Sequence, residues 1–589
     1  MEPFLPATRQ EMDARSWDHV DVVLVTGDAY VDHPSFGVAI IGRWLEANGF
    51  RVAILSQPAH DDPVSFRRFG RPRLFFGITA GNLDSIVANY TGNGRVRETD
   101  VYSPDGNPYF GNIREKRFRR RPDRATIRYS QLAREVYSNV PIVIGGIEAS
   151  LRRFVHYDFQ QEKMRASVLA DSKADLLVYG MGERAVLEIA RRIESCRSLS
   201  GIAGTCERLS EREAEDAVLG TSPVVLPSFR DITAEPARFL DAELLVDAHA
   251  RSLSQSPVLQ RQQAVWVLQH PPSPPLSTME LDRIASLPYT RRPHSGAGDI
   301  PAWRSIRHSV TIVRGCFGNC SFCAIARHQG PVVTSRSPAS VVEEVKAVAS
   351  MEDFDGTITD LGGPTANLYG VTCGKKGPCS RHDCLYPRIC PHLDVDEDAL
   401  LGLLERASRV EGVRHLYISS GLRMELLLRT PRLLGRILER HVPGVMKIAP
   451  EHTEPEVLRL MHKTGSLVLA RFLEEARAIA ARKGVTIAFS PYLIASHPGC
   501  TPAHMEALAK KFRLLDLEVR QFQDFTPTPG TISTAMYVTG LDRDFKTPIP
   551  VARTRSDRLL QRRIAERLIP SQRPSRRPPT RGLRGPGPP

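Results

Sequence analysis

Short apolar runs alternate with amphipathic stretches through the N-terminal part of the chain. The β-branched run at 20–26 is typical of a strand buried on both faces of a sheet, and Val38, Ile41 and Leu45 then follow at helical spacing. Further runs of the same apolar kind predict strands at 51–56, 73–79, 140–146 and 174–180. Strands that alternate with helices form parallel sheets covered by helices on both faces. We therefore predict a doubly wound, Rossmann-like α/β domain over residues 1–255.

The pattern then changes to a proline-rich passage and to a second series of strands and helices. Residues 256–302, with prolines clustered after Leu268, predict an extended connector with turns rather than a packed unit. Within residues 303–545, apolar runs separated by helical stretches predict strands at 308–316, 356–363, 415–421, 444–450 and 486–494. Repeated strand–helix units suit a partial β/α barrel, in which the chemistry lies at the carboxyl ends of the strands. The predicted fold class is α/β throughout.

The composition predicts a soluble protein with a basic C-terminal tail. The 589 residues are too many for one hydrophobic core, and a charged fraction of 25% is ordinary for a globular protein. We find neither a secretory leader nor an apolar run near the ~18 residues that a membrane span needs, and so expect a cytoplasmic protein. The formal net charge is +13, and residues 546–589 contain eleven of the arginines. Arginine, proline and glycine bury too little apolar surface to fold, which predicts a disordered basic tail. A tail that binds nucleic acid is the alternative.

The cysteines are distributed unevenly, since seven of the ten fall between Cys316 and Cys390. Disulfide frameworks belong mainly to small secreted domains, so clustered cysteines in a large chain indicate metal ligation. The motif Cys316-x3-Cys320-x2-Cys323 follows a predicted strand. Three thiolates at this spacing suit three irons of a [4Fe-4S] cluster, whose fourth iron stays open for S-adenosylmethionine (SAM). A zinc site is the alternative, although structural zinc sites usually have four ligands in paired C-x2-C halves.

The cysteine motif lies in one of several segments that together carry a family resemblance. The segments are PIVIGGIEASLRRFVHYDF, ADLLVYGMGE, SVTIVRGCFGNCSFCAIARHQGPVVTSRS, DLGGPTANLYG, LYISSGLR, KIAPEHTEPEVLRLM, PYLIASHPGC and QDFTPTPGTISTAMYVTG. Over roughly residues 20–550 the chain resembles the YgiQ-type family of radical SAM proteins. The resemblance implies an enzyme that uses a [4Fe-4S] cluster to cleave SAM to a 5′-deoxyadenosyl radical, with an unknown substrate. It also implies a small electron donor of the flavodoxin or ferredoxin type.

The resemblance extends to strand ends that contact SAM in radical SAM barrels. Gly362 and Gly363 match the glycines whose backbone meets the methionine amino group, although Pro364 follows where a glutamate is usual. Ser419 and Arg423 match contacts to the ribose and to the SAM carboxylate. For each of these four residues, a structural role at a turn or strand end is the alternative. No residue is assigned as a catalytic acid, base or radical relay.

A second set of cysteines, Cys373, Cys379, Cys384 and Cys390, lies in a polar loop. Four cysteines in one short loop are unusual as core filler, so they are candidate ligands of a second iron–sulfur cluster or of a zinc ion. Free or partly paired thiols are the alternative, because the spacing is diagnostic of neither site.

The N-terminal domain resembles the cobalamin-binding Rossmann-like domains that precede some radical SAM barrels, through glycine turns at 145–146 and 180–182. The Asp-x-His-x-x-Gly motif, whose histidine binds cobalt, is absent, because Asp32-His33 precedes Gly37 at a different spacing. We therefore expect a Rossmann-like domain that shapes the substrate pocket. Two alternatives to the main prediction stay open: a cobalamin-dependent radical SAM methylase, and a non-catalytic iron–sulfur or zinc protein that binds nucleic acid.

Overall fold

The computed structural model describes residues 4–111, 118–252, 254–375, 379 and 383–569. The strands of its N-terminal half are β1 (Val22–Thr26), β2 (Val52–Ser56), β3 (Phe75–Thr79), β4 (Ile142–Ile144), β5 (His156–Asp158), β6 (Lys163–Arg165), β7 (Leu176–Val178), β8 (Thr205–Leu209), β9 (Val224–Val225), β10 (Val258–Arg261) and β11 (Trp266–Gln269). Strands β5 and β6 form a separate hairpin. The other nine form one sheet in the order β2-β1-β3-β4-β7-β8-β11-β10-β9.

Helices cover both faces of this sheet. They are α1 (Arg9–Ala14), α2 (Gly37–Glu46), α3 (Ser85–Asn89), α4 (Ala125–Val136), α5 (Gly146–Leu151), α6 (Val168–Ser172), α7 (Glu183–Glu194), α8 (Glu211–Thr221), α9 (Phe229–Ala234), α10 (Ala237–Ser252), α11 (Thr278–Ala285) and α12 (Pro301–Ile306), with 3-10 turns at Pro63–Arg67 and Pro104–Gly106. Along β1, Val23 and Val25 join one hydrophobic cluster, while Val22 and Leu24 join another. A continuous apolar strand is what burial on both faces requires, so the doubly wound prediction is confirmed.

The strand order reverses once in the parallel part of the sheet. Strands β2, β1, β3, β4 and β7 run parallel, and the reversal falls between β1 and β3. In doubly wound sheets a crevice opens at such a reversal, at the carboxyl ends of the strands. The topology therefore places any ligand of this half at the edge formed by the ends of β1, β3, β4 and β7.

The predicted connector at 256–302 is wrong in its first part. Residues 258–261 and 266–269 are strands β10 and β11, which pair antiparallel within the main sheet. Val258, Leu259 and Val267 of these strands are buried. The prolines that follow Leu268 obscured this short apolar hairpin, so the N-terminal fold extends at least to the end of β11.

The C-terminal half is an open series of parallel strands wrapped by helices. Its strands are β12 (Ser309–Thr311), β13 (Val313–Arg314), β14 (Thr334–Ser335), β15 (Thr357–Ile358), β16 (Asp360–Gly362), β17 (Val371–Cys373), β18 (Leu393–Val395), β19 (His415–Leu416), β20 (Val445–Glu451), β21 (Ala488–Ala495) and β22 (Gln523–Asp524). The pairs β12–β16, β15–β19, β20–β21 and β21–β22 are parallel, and β13–β14 and β17–β18 are antiparallel. Parallel strands met in chain order agree with the predicted partial barrel.

The helices of this half are α13 (Ile325–Gln329), α14 (Pro338–Ala349), α15 (Glu397–Ser408), α16 (Met424–Leu427), α17 (Pro431–Arg440), α18 (Pro455–Leu460), α19 (Leu467–Arg482), α20 (Pro502–Leu514), α21 (Ile532–Thr539) and α22 (Arg555–Glu566), with a 3-10 turn at Ala366–Leu368. Their apolar stripes face the strands: Val341, Val345 and Val348 of α14 are all fully buried. This is the period that amphipathic helices show when one face covers a sheet.

Helix α22 lies within the residues predicted as a disordered tail, so the boundary at 546 is too early. Ile564 and Ala565 of this helix are buried. The side chain of Gln561 accepts a hydrogen bond from Ser496 N–H (3.0 Å) and donates one to the Cys500 carbonyl (2.9 Å). The helix is therefore docked on the end of β21. The remaining tail, 570–589, lies outside the described residues.

Among the residues that the structure describes, no helix combines the length and the apolar character needed to cross a membrane.

Candidate active site

The cysteine motif lies in the loop that leaves β13 and enters α13. Cys316 is buried, and Cys320 and Cys323 are partly buried. Cys323 N–H donates to the Cys320 carbonyl over 3.1 Å, and Cys316 N–H donates to the Gly330 carbonyl over 3.3 Å. One of these bonds forms a turn between Cys320 and Cys323, and the other ties Cys316 to the end of α13.

Three contacts from later parts of the chain hold this loop at Ser321. Its N–H donates to the Met461 carbonyl over 2.9 Å, and its own carbonyl accepts from Ser533 N–H over 2.9 Å. Its hydroxyl accepts from an Arg543 Nη over 2.6 Å. Each partner follows a different segment of the barrel half, so the loop is fixed by the fold around it and not only by its sequence.

The loop thiols are close enough to influence one another electrostatically. Burial, with a smaller contribution from the Cys320 and Cys316 sulfurs, raises the pKa of the Cys323 thiol to about 12. Such a thiol is protonated at neutral pH, and a metal must displace that proton on binding. Among the described residues, no three Cys, His, Asp or Glu side chains converge closely enough for a single metal ion. The donor set suits a larger group that takes each thiolate on a different iron.

Arg423 brings a buried positive charge to the same loop. Its Nη2 lies 3.5 Å from the Cys320 sulfur and 3.9 Å from the Cys316 sulfur. Its Nη1 forms an ion pair with Glu425 over 3.1 Å. Burial opposes the charge of Arg423, but the neighbouring Cys320 and Cys316 sulfurs and the Glu425 carboxylate hold its pKa above the ordinary value. Any side chain at Gly318 would collide with this guanidinium. Position 318 of the motif therefore requires a glycine for steric reasons.

The predicted SAM residues meet at neighbouring strand ends. Gly362 ends β16, and Ser419 follows β19, which lies beside β15 and β16 in the same half. Asp360 joins the two ends, because one carboxylate oxygen accepts from the N–H groups of Ser419 (2.8 Å) and Ser420 (3.1 Å). Burial raises the pKa of Asp360 above its ordinary value. Backbone and hydroxyl groups are therefore concentrated where the barrel strands end.

Part of this arrangement is structural. The Ser419 hydroxyl donates to the Thr359 carbonyl over 2.7 Å. A side chain at Gly363 would lie 2.6 Å from the Val313 carbonyl, so close strand packing alone requires a glycine there. Of the four predicted SAM contacts, Arg423 brings a charged group to the cysteine loop. It is therefore the prediction with the most support from the geometry.

Two carboxylates of this region were not among the predicted site residues. Asp360 organises the serine-bearing strand end, and Glu425 pairs with Arg423. The available signal for Asp360 was an acidic residue within an otherwise apolar strand, two positions before the glycines. Glu425 carried no such signal, since an acid two residues after an arginine is common on any exposed helix.

The second cysteine set is arranged differently. Cys373 and Cys379 are exposed, whereas Cys390 is buried. The Cys390 N–H donates to the Cys384 carbonyl over 2.8 Å. Of these cysteines, all within the described residues, no three converge on one point. A metal site here stays a prediction.

A cavity of about 510 Å³ lies between the two halves of the chain. It is lined by the carboxyl ends of β1, β3, β4 and β7 on one side and by α13, β13 and Gly363-Pro364 on the other. The topological crevice of the N-terminal sheet thus opens onto β13, α13 and the glycine turn of the barrel, the elements on either side of the cysteine loop. Ligand pockets of proteins commonly have this size and position.

Two polar contacts cross between the halves beside this cavity. An Arg314 Nη forms an ion pair with a Glu183 carboxylate oxygen over 2.5 Å. The His328 ring lies 3.0 Å from the Ser150 hydroxyl, and the backbone carbonyl of His328 rests against Gly180, which has a positive φ of 74°. Gly180 therefore lets the two halves approach closely, whereas a side chain at Gly146 would collide with Thr79 of the N-terminal sheet.

Two family models cover most of the chain. The model "Radical SAM N-terminal" matches residues 4–309, and "Radical SAM superfamily" matches residues 310–512. A UPF0313 protein of Geobacter sulfurreducens is 46% identical over 577 residues, which is 97% of this chain and 93% of the relative. A UPF0313 protein of Thermotoga maritima is 44% identical over 560 residues, with 92% and 94% covered. The chain belongs to the UPF0313, or YgiQ-type, radical SAM family. It is thus a radical SAM enzyme, as the sequence resemblance predicted.

Solved structures of lower similarity were also found. The radical SAM methyltransferase TsrM from Kitasatospora setae, solved with cobalamin and a [4Fe-4S] cluster, is 17% identical, covers 86% of this chain and 76% of its own, and has a TM-score of 0.48. The cobalamin-dependent radical SAM enzyme OxsB is 10% identical, covers 88% and 55%, and has a TM-score of 0.46.

Proposed function

We propose that this radical SAM enzyme holds a [4Fe-4S] cluster on Cys316, Cys320 and Cys323 and cleaves SAM reductively to act on a substrate between its two halves. The observation that carries the proposal is the position of Arg423, whose guanidinium lies 3.5 Å from the Cys320 sulfur at a barrel strand end. A fixed positive charge beside a three-thiol loop has a clear use when an anionic ligand must lie next to the metal group.

The chain's own residues supply ligation and orientation. The three thiols would each take one iron, and the clamps on Ser321 keep them in place. Arg423 would bind the SAM carboxylate, and the backbone of Gly362 and Gly363 would bind its amino group. Ser419, whose hydroxyl proton is committed to Thr359, would accept a hydrogen bond from a ribose hydroxyl.

When bound and reduced by one electron, the cluster would supply the chemistry that breaks a sulfonium C–S bond of SAM. This cleavage gives methionine and a 5′-deoxyadenosyl radical. That electron must come from another protein, for which a small flavodoxin- or ferredoxin-type donor is the expected source. The cavity offers a substrate a mainly apolar lining between two sets of strands.

A role for cobalamin has less support from the residues in place. Asp32 and His33 are the nearest match to a cobalt-binding motif. Asp32 is committed to an ion pair with Arg43 at 2.6 Å, and His33 is fully buried and is not part of the cavity lining. A corrin spectrum in anaerobically purified protein would nevertheless favour the methylase alternative, and uptake of no corrin would exclude it.

The direct test is 5′-deoxyadenosine formation. The full chain is reconstituted anaerobically with iron and sulfide, reduced, mixed with SAM, and the nucleoside is quantified by mass spectrometry. We expect the wild type and a Cys196→Ala control, altered at an exposed cysteine of the N-terminal half, to form the nucleoside. The triple variant Cys316→Ala, Cys320→Ala, Cys323→Ala should form none.

Nucleoside formed equally by the triple variant would contradict the proposal. If the wild type binds a full complement of iron and forms no nucleoside, the electron paramagnetic resonance spectrum of the reduced cluster decides. A change on adding SAM supports an open iron that awaits substrate, and no change counts against the proposed SAM site.

A further inference from the structure

The residues that line the cavity between the two halves indicate which kind of ligand it can bind. It joins the crevice of the N-terminal sheet to α13, the helix that directly follows Cys323. A molecule in this space would lie beside α13 and the Gly363-Pro364 turn. The strand topology alone therefore favours this cavity as the substrate site.

The charges around the cavity are paired. Asp28 forms an ion pair with Arg121 at 2.5 Å, and Glu183 forms one with Arg314 at 2.5 Å. Most of the other lining side chains are apolar, among them Ile41, Val143, Val178, Val186, Val313 and Ile325. Arg314 is the cation of this lining, and its charge is already matched by Glu183. Among the described residues that line the cavity, a phosphate or carboxylate ligand would find no uncommitted positive side chain, despite the glycine turns at the strand ends.

The hydrogen bonds on the Nδ1 side of the His328 ring run through the Ser150 hydroxyl. The Ser150 hydroxyl lies 2.8 Å from the Gly146 carbonyl, and a carbonyl can only accept, so the hydroxyl proton is donated there. The hydroxyl oxygen accepts from Gly180 N–H over 3.0 Å. With the hydroxyl proton donated to the Gly146 carbonyl, the remaining lone pair of the Ser150 oxygen faces the Nδ1 atom of His328, 3.0 Å away, and accepts a hydrogen bond from the tautomer that carries its proton on Nδ1.

This chain of bonds fixes the state of the imidazole. Burial lowers the pKa of His328 to about 4, so the ring is neutral at pH 7. A neutral imidazole with a proton on Nδ1 has a bare Nε2, which accepts hydrogen bonds. His328 therefore brings an acceptor to a lining in which the ionic groups are already paired.

From these contacts, and resting on the proposed function, we propose that the cavity binds the substrate as an uncharged, mainly apolar organic molecule whose N–H or O–H group donates to Nε2 of His328. Ser150 acts as a positioning residue, because its hydroxyl selects the tautomer that leaves this nitrogen free. An anionic substrate is disfavoured by the same set of contacts, since neither the neutral histidine nor the paired arginine can neutralise it.

The test uses three probes that share one ring system. They are 2-naphthol, which is neutral and has an O–H donor; 2-methoxynaphthalene, which lacks the donor; and 2-naphthoate, which is an anion. Binding to the cluster-loaded full chain is measured by saturation-transfer NMR titration. We expect 2-naphthol to bind about fivefold more tightly than either of the other two, the effect of one net hydrogen bond.

The variant His328→Phe should bind 2-naphthol and 2-methoxynaphthalene equally, while the matched control His415→Phe, at an exposed position outside the cavity lining, should keep the preference. Val186→Trp, which fills the cavity, should reduce binding of both. A preference that survives in His328→Phe, or no preference or no binding in the wild type, would overturn the proposal.

A second measurement needs no substitution in the cavity. In protein labelled with ¹⁵N-histidine, the His328 ring should show a protonated Nδ1 and a bare Nε2, and only 2-naphthol should shift the Nε2 signal. A protonated Nε2 would overturn the proposal. Nucleoside formation and the SAM-induced change in the electron paramagnetic resonance spectrum are assayed on the same preparations: either signal without the probe preference overturns this inference alone, and the probe preference with neither signal overturns the proposed function alone.

Discussion

Two cysteine-rich loops of the C-terminal half differ in how the fold treats them. The loop at 316–323 is clamped at Ser321 and faces the guanidinium of Arg423. The loop at 373–390 leaves an antiparallel pair of short strands, and two of its cysteines are exposed. Both loops were predicted as metal sites from their cysteines alone, and both sites stay predictions. What separates the loops is whether surrounding segments hold the thiols and balance their charge.

The two loops nevertheless touch. Asn319 of the first loop donates from Nδ2 to Asp383 of the second over 2.7 Å, and the Tyr386 ring lies 4.0 Å from that of His462. Because His462 directly follows Met461, whose carbonyl anchors Ser321, the second loop contacts the support of the first. A structural role for the second loop, as a cover over the first, is consistent with these contacts and needs no metal.

The largest expected contrast comes from removing each cysteine set in turn. The triple alanine variant of the first loop should lose its iron and all SAM cleavage. The quadruple variant Cys373→Ala, Cys379→Ala, Cys384→Ala, Cys390→Ala should keep SAM cleavage within about twofold, because it leaves Arg423 and the three contacts at Ser321 unchanged. Iron, zinc and 5′-deoxyadenosine are measured for both. Loss of a further metal from the quadruple variant would instead establish a second site and end the contrast between the loops.

A smaller effect is expected at Arg423, which marks the first loop as a binding site for an anion. Arg423→Ala should weaken SAM binding to the cluster-loaded enzyme by ten- to a hundredfold, the worth of a hydrogen bond to a charged group, about 1.5–3 kcal/mol. Equilibrium dialysis with labelled SAM measures this. The exposed Arg432→Ala, at the start of α17, is the matched control and should bind SAM like the wild type. Equal affinity in Arg423→Ala would reduce its role to support of the loop.

The sequence was sufficient for the features that have local signals. The apolar run at 20–26 is buried on both sides as its lack of alternation indicates, and the valine stripe of α14 packs as its spacing predicts. Gly362, Ser419 and Arg423 do lie at neighbouring strand ends, and Arg423 reaches the cysteine loop. Their contacts with SAM stay predictions.

The features that were missed depend on contacts between distant segments. Strands β10 and β11 lie beside a proline-rich passage, and only their pairing with β8 and β9 makes them part of the sheet. Helix α22 has a basic, weakly apolar sequence, and its order rests on Ile564, Ala565 and the two hydrogen bonds of Gln561. Ser321 is an ordinary serine in sequence. Its three tertiary partners, none nearer than 140 positions along the chain, cannot be read from a local pattern.

The smallest expected effect concerns the clamp itself. Ser321→Ala removes the acceptor of the Arg543 hydrogen bond but keeps both backbone bonds, so the loop should loosen by about 1 kcal/mol. We expect the cluster to be lost to an iron chelator roughly three- to tenfold faster, followed by its visible absorbance, with folding unchanged by circular dichroism. Thr372→Ala, which deletes an exposed hydroxyl beside the other cysteine-rich loop, is the matched control. If both variants lose iron at the wild-type rate, the backbone bonds suffice. The difference between the two loops would then lie in Arg423 and in the thiols, and not in the clamp.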